Sequence, residues 1–306
     1  KMDRKKALDM YLGIIKKAID HGIRPRCHFE DITRADYYGF VIPFADELMK
    51  LMQSTGVPIK IRACDTLGYG VTYPGASLPR SVQGIVYGLR FYSGFPSELL
   101  EWHGHNDFHK VVTNAATAWL YGASSVNCSI LGIGERTGNC PIEAMVIEYC
   151  GLKGTDDGMD LSVITDMVEY FENELKCDID PRTPFVGRNF NSTRAGIHAD
   201  GLLKDEEIYN IFNTEKILKR PVTVAITEHS GLAGIAHWIN SHFKLKGDLC
   251  VDKKEDIVVR MKEEVDKEFA EGRTTSFGDD ELELILRQID EERYIEFCHH
   301  IRIAEK

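Results

Sequence analysis

Four short apolar segments, each ending in residues able to do chemistry and each followed by a helical pattern, constrain this chain to a parallel sheet. They lie at 26–30, 58–65, 98–105 and 124–131, and their ends are spaced by 35, 40 and 26 residues, the length of one strand–helix unit. A helix pattern over 3–20 precedes the first, with apolar pairs at 7/8, 11/12, 14/15 and 18/19 and a stop at His21-Gly22. The next helix is expected to start at Thr33, with Asp36 completing a variant capping box. Another is expected over 106–121, striped by Val111, Val112, Ala115, Ala116 and Leu120. All four strands end in polar residues: Glu30-Asp31, Asp65-Thr66, His103-x-His105 and the loop Gly132 to Asn139. Such endings on successive strands are the habit of a (β/α)8 barrel, and no G-x-G-x-x-G follows an early strand. Four units make half of such a barrel, so an N-terminal half is expected upstream of Lys1.

Past residue 150 the strand–helix rhythm fades. Helices are expected over 161–175, 231–243, 255–271 and 279–297, with a polar loop over 187–200. The expected division is a half-barrel over 1–155, a linker helix over 156–187 and helical C-terminal subdomains over 188–306. With 306 residues and 43% apolar content the chain can bury a sizeable core. A net charge of −11 argues against nucleic acid or anionic lipid as partners. Eight cysteines without a C-x-x-C pair fit the reduced thiols of a cytoplasmic enzyme. No run of 18 apolar residues offers a membrane span.

The chemistry concentrates in Glu101-Trp102-His103-Gly104-His105-Asn106-Asp107 and Gly132-Ile133-Gly134-Glu135-Arg136-Thr137-Gly138-Asn139. Side chains alternate along a strand, so an H-x-H pair at a strand end sets both imidazoles on one side, where they can share a metal. Two histidines plus one carboxylate leave coordination positions for substrate, as a catalytic site requires. Gly132 and Gly134 let backbone N–H groups approach a ligand. Glu135 and Arg136 either brace that loop or face the ligand, and Asn139 is placed to offer its amide oxygen to the metal.

In these residues the chain resembles the 2-isopropylmalate, homocitrate and citramalate synthase family, the DRE-TIM metallolyases. His103-Gly104-His105-Asn106-Asp107 followed by Gly132 to Asn139 carries the likeness. So do Glu30-Asp31-Ile32-Thr33-Arg34, Asp65-Thr66-Leu67-Gly68 and Arg194-Ala195-Gly196-Ile197-His198-Ala199-Asp200-Gly201, in the family's order. Within it, the extended Trp102 to Phe108 motif, Asn127-Cys128-Ser129 and the lack of a β-rich regulatory segment look most like the Re-citrate synthases.

The resemblance implies strands 5–8 of the barrel followed by a mostly helical small domain. It implies a Claisen-type condensation of acetyl-CoA with a 2-oxo acid such as oxaloacetate or 2-oxoisovalerate, an acyltransferase reaction that needs a divalent cation (Mn, Zn, Co or Mg). His103, His105 and Asn139 would hold the metal, and Thr66 would bind the 2-oxo acid carboxylate, with Gly132, Gly134, Glu135 and Arg136 lining the substrate. Glu30, His198 and Tyr209 would be catalytic, the last two reaching a partner subunit's barrel in a homodimer. The family's D-R-D/E motif, which supplies the metal carboxylate, has no counterpart in these residues. Alternative readings are a retro-aldol lyase on the same scaffold and a non-catalytic half-barrel. Residue by residue, Glu30 competes with a surface pair to Arg34, Thr66 with a helix cap, His198 with a loop histidine and Tyr209 with a packing tyrosine. Strand parity also predicts that Arg62 and Glu101 meet in the barrel interior, because an unpaired buried charge is costly.

Overall fold

The computed structural model describes residues 3–193, 201, 206–210 and 212–304. The chain divides into two compact units, Lys1–Asp157 and Gly158–Lys306. In the first, α1 (Arg4–Asp20), β1 (Arg26–Phe29), α2 (Ile42–Thr55), β2 (Lys60–Asp65), α3 (Val82–Phe91), β3 (Leu100–Gly104), α4 (Val111–Tyr121) and β4 (Ser125–Val126) alternate. Then β5 (Cys128–Ser129), β6 (Cys140–Pro141) and α5 (Ile142–Lys153) complete it. Strands β1 to β4 form one parallel sheet in sequence order. A sheet in which every strand lies beside its successor lacks the order reversal of a doubly wound sheet, and the chain is an α/β fold with a helical C-terminal part.

The two faces of the sheet differ in kind. Cys27 and Phe29, Ile61 and Ala63, and Leu100 and Trp102 face the helices and join the core formed with Leu48, Ile85, Val111 and Ala115. By strand alternation the opposite face carries Arg26, His28 and Glu30 from β1, Arg62, Cys64 and Thr66 from β2, and Glu101, His103 and His105 from β3. A parallel sheet normally buries apolar side chains on both faces, so a face of charges and imidazoles marks a working surface. The Arg62–Glu101 pair is present: Arg62 Nε donates to Glu101 Oε2 at 3.0 Å and Glu101 is 5% exposed. Lys60 Nζ, 2.8 Å from Oε1, and Arg26 Nε, 3.1 Å from Oε2, join it. Burial raises the Glu101 pKa, but the hydrogen bonds from Lys60 and Arg62 and the surrounding positive charge hold it below its ordinary value.

Three boundaries differ from expectation. The helix after β1 does not start at Thr33, whose buried hydroxyl donates to Asp65 at 3.0 Å. Asp36 is the cap instead, accepting from Gly39 N ahead of one π turn that leads into α2. Residues 106–110 stay outside α4: Asn106 N donates to Gly138 O, and His109 sits at φ 55°. The predicted helix over 279–297 breaks at Asp290, which accepts from Arg293 N, and so becomes two helices.

Asp65 ties the loop after β2 together. It is 1% exposed and accepts from Thr33 Oγ1, Tyr69 N, Gly70 N and Asn114 Nδ2. Burial raises its pKa while those donors pull the other way. Asp65→Ala is expected to cost about 3 kcal/mol, because several buried donors lose their acceptor at once. Urea denaturation measures it, and a loss under about 1 kcal/mol contradicts this role.

In the second unit, α6 (Val163–Asn173), β7 (Ser192–Thr193), α7 (Thr214–Leu218), β8 (Thr223–Val224) and α8 (Leu232–His242) precede α9 (Asp256–Ala270), α10 (Asp279–Ile289) and α11 (Glu291–Ala304). Ile226, Ile235, Ile239, Phe243, Val258, Met261 and Leu286 form its core. Helix α6, within the stretch expected as a linker, is held in this unit by Thr165 Oγ1 donating to Leu218 O. No helix among the described residues is long and apolar enough to cross a membrane.

Candidate metal centre and active site

The end of β3 brings the two imidazoles together. His103 Nε2 and His105 Nε2 lie 3.3 Å apart, with ring planes at 87°. His103 Nδ1 meets Asn127 Oδ1 at 2.8 Å. An amide oxygen only accepts, so Nδ1 carries the proton and the His103 Nε2 lone pair faces His105. Asn139 Nδ2 lies 3.1 Å from Gly104 O and 3.5 Å from His105 Nε2, presenting an N–H toward that nitrogen as well. With the His105 proton on Nδ1, two lone pairs converge at 3.3 Å; with it on Nε2, His105 donates to His103. Two imidazole nitrogens on one ion at about 2.1 Å lie roughly 3.0–3.4 Å apart for octahedral to tetrahedral angles, so the pair fits a divalent metal. Burial, then the neighbouring His105 and Arg62, hold the His103 pKa below the ordinary imidazole value against the opposing Asn127 hydrogen bond. His103 is therefore poised neutral, the form that coordinates.

Asn127 was not among the sequence candidates. The signal was faint: it stands where the last predicted strand breaks between β4 and β5, and its N–H goes to Trp102 O. Asn139 also differs from expectation, since its nitrogen rather than its oxygen faces His105. In this position it orients the ring. Gly134 explains how the amide fits, because a Cβ there would fall 2.0 Å from Asn139 Oδ1.

The second group lies at the ends of β1 and β2. Thr66 Oγ1 donates to Glu30 Oε2 at 2.8 Å and accepts from Asp31 N at 2.7 Å, so Thr66 joins two strand-end loops and caps no helix. Arg34 forks onto Asp31, not Glu30. The Glu30 carboxylate stays exposed, with His28 Nδ1 3.8 Å away. His28, Glu30 and Cys64 place ligand atoms within 4.8 Å of one another, a cluster that strand parity signals. Burial, then Glu30, push the Cys64 thiol up to about 12, so it stays protonated and is a poor metal ligand.

Arg136 braces the loops. Its Nε donates to Asp107 Oδ1 at 2.8 Å and its NH2 to Thr66 O at 2.6 Å, clasping the loop after β5 to those after β2 and β3. Gly132, at φ 64°, accepts from Asn139 N, so it turns the loop rather than facing outward. Arg136 holds Asp107 below the usual carboxylate range. A lowered carboxylate contributes above its unfolded pKa and loses that contribution as pH falls through the folded one. Arg136→Ala is expected to speed hydrogen exchange at Gly138 and Asn139 at neutral pH, and the parent should approach the variant only in acid. Equal exchange at neutral pH removes the clasp.

Residues 1–170 match the HMGL-like family. The chain belongs to that family. It is 59% identical to the Clostridium kluyveri protein named citrate (Re)-synthase, over 94% of this chain and 64% of that one. The Syntrophus aciditrophicus citrate (Re)-synthase is 57% identical over 98% of this chain and 48% of its own. The Streptomyces hygroscopicus 2-phosphinomethylmalate synthase is 36% identical over 93% and 64%. This HMGL-like chain thus spans between about half and just under two thirds of the length of these relatives.

Other expected site residues of the HMGL-like chain are not in this cluster. Glu135 is exposed, 3.7 Å from Arg136. His198 lies outside the described residues. Tyr209 is exposed in the second unit, just after a 3-10 turn at Glu206–Ile208.

Proposed function

We propose that this chain carries strands five to eight of an HMGL-like barrel, over 1–155, followed by a linker helix and helical subdomains over 156–187 and 188–306. It belongs to a synthase that condenses acetyl-CoA with a 2-oxo acid, oxaloacetate giving citrate, with water splitting the thioester. The single observation that carries this reading is the convergence of two imidazole nitrogens at 3.3 Å on the polar face of the sheet. The 59% and 57% identity to proteins named citrate (Re)-synthase supports oxaloacetate over 2-oxoisovalerate.

His103 and His105 would hold a divalent cation, with a carboxylate from outside these residues as a further ligand and Asn139 alongside. When bound, that cation supplies Lewis acidity to the 2-oxo acid carbonyl, worth several kcal/mol in the transition state. Asn127 keeps His103 in the coordinating tautomer. Thr66 turns its hydroxyl from Glu30 to the substrate carboxylate. Glu30, with His198, accepts the methyl proton of acetyl-CoA so that its carbon can attack the ketone. Tyr209 supplies or orients the proton for the new alcohol, and His198 and Tyr209 act across a homodimer. Acetyl-CoA, oxaloacetate and water balance to citrate and free CoA.

Thiol release from acetyl-CoA, run with a panel of 2-oxo acids on the protein together with its upstream barrel strands, tests the reading. Turnover with oxaloacetate is expected. Turnover with another 2-oxo acid alone overturns the substrate, and cleavage of a 3-hydroxyacyl-CoA without condensation overturns the reaction.

A further inference from the structure

Two thiols unused by this chemistry face each other beside the amides that orient the histidines. Strands β5 and β6 are in parallel register with Cys128 opposite Cys140. Such partners project to the same face from strands about 4.8 Å apart, inside the roughly 4.4–6.8 Å Cα separation a disulfide spans. Cys128 follows Asn127, the partner of His103, and Cys140 follows Asn139, the neighbour of His105. Cys140 is buried whereas Cys128 is half-buried, so a small oxidant meets Cys128 first.

We propose that Cys128 and Cys140 form a peroxide-oxidisable dithiol that acts on the histidine pair. The Cys128 sulfur attacks the O–O bond of hydrogen peroxide, giving a sulfenic acid and one water. The Cys140 sulfur then attacks the Cys128 sulfur, the S–S bond forms, and the sulfenic oxygen leaves as a second water. Two thiols lose two electrons and two protons, and one peroxide becomes two waters. The bond pulls the two Cβ atoms to about 3.8 Å and drags the adjoining Asn127 and Asn139 backbones with them. His103 then loses the acceptor that fixes its tautomer, and metal affinity falls about 10-fold to 100-fold. That last consequence rests on the metal reading above, whereas disulfide formation does not.

The test treats the full chain with hydrogen peroxide, alkylates free thiols and maps the peptides by mass spectrometry. A Cys128–Cys140 linked peptide is expected, and C140S should instead leave Cys128 as a sulfenic acid trapped by dimedone. Both cysteines alkylated after oxidation, or no dimedone adduct in folded C140S and C140A, overturns the proposal. Coupling is read twice: by Mn2+ binding, and without metal by the 15N signal of the His103 Nδ1–H. Weaker Mn2+ binding and a shifted signal in the oxidised chain support it, and an unchanged signal overturns it. Absence of Mn2+ binding by the reduced full-length protein overturns the metal reading, and the peptide map and His103 signal still decide the dithiol.

Discussion

Replacing His103 with alanine is expected to weaken divalent-cation binding by about 100-fold or more, read by calorimetry or by the EPR signal of free Mn2+. The argument is geometric. Losing one of two converging nitrogens removes the chelate, whereas losing an outer hydrogen-bond partner typically costs about 10-fold to 100-fold. Asn127→Ala is therefore expected to fall between H103A and the parent, because its loss frees the His103 tautomer without removing a ligand. Binding should also decline as pH falls, since a protonated imidazole cannot coordinate. The midpoint should lie below the ordinary imidazole value of about 6.5, because burial is the largest influence on His103 and lowers its pKa. The stability sign agrees: the unfolded chain takes up the proton first, so the folded state loses stability as pH drops through the unfolded value. Parental affinity in H103A, or a midpoint above the ordinary value, would contradict this picture.

Glu30→Gln is expected to lower kcat in thiol release by about 10²-fold to 10⁴-fold with little change in KM, the range for losing a positioned base. Glu30 is suited to the task because Thr66 anchors one carboxylate oxygen at 2.8 Å while the group stays open on the polar face. Thr66→Ala separates two tasks for that hydroxyl. A raised KM for the 2-oxo acid marks substrate contact, and a lowered kcat alone marks positioning of Glu30. Parental kcat in E30Q would remove Glu30 from the chemistry.

Parity along the strands made much of the site legible. His103 and His105, Arg62 and Glu101, and Glu30 and Thr66 each sit on the side that alternation assigns, and each pair makes contact. What parity cannot supply is where a hydroxyl or amide spends its hydrogen bonds. Thr33 looked like a helix cap until Asp65 claimed it, and Arg34 looked like the partner of Glu30 until Asp31 claimed it. Asn127 was hidden because a residue that breaks a strand leaves no periodic trace, although its oxygen decides the His103 tautomer. Arg136, whose loop suggested either bracing or substrate contact, is occupied by Asp107 and Thr66 O, a tertiary fact absent from local pattern. In the second unit the helices were legible from their stripes, but the break at Asp290 depends on a single cap to Arg293 N.

The most direct test of the central claim is the nitrogen modulation in the pulsed EPR spectrum of Mn2+ bound to the full-length protein. Two imidazole nitrogens sharing one ion predict strong modulation that is reduced in H103A and in H105A and absent in the double variant. Modulation that is missing in the parent, or unchanged in both single variants, would show that the histidine pair does not hold the metal.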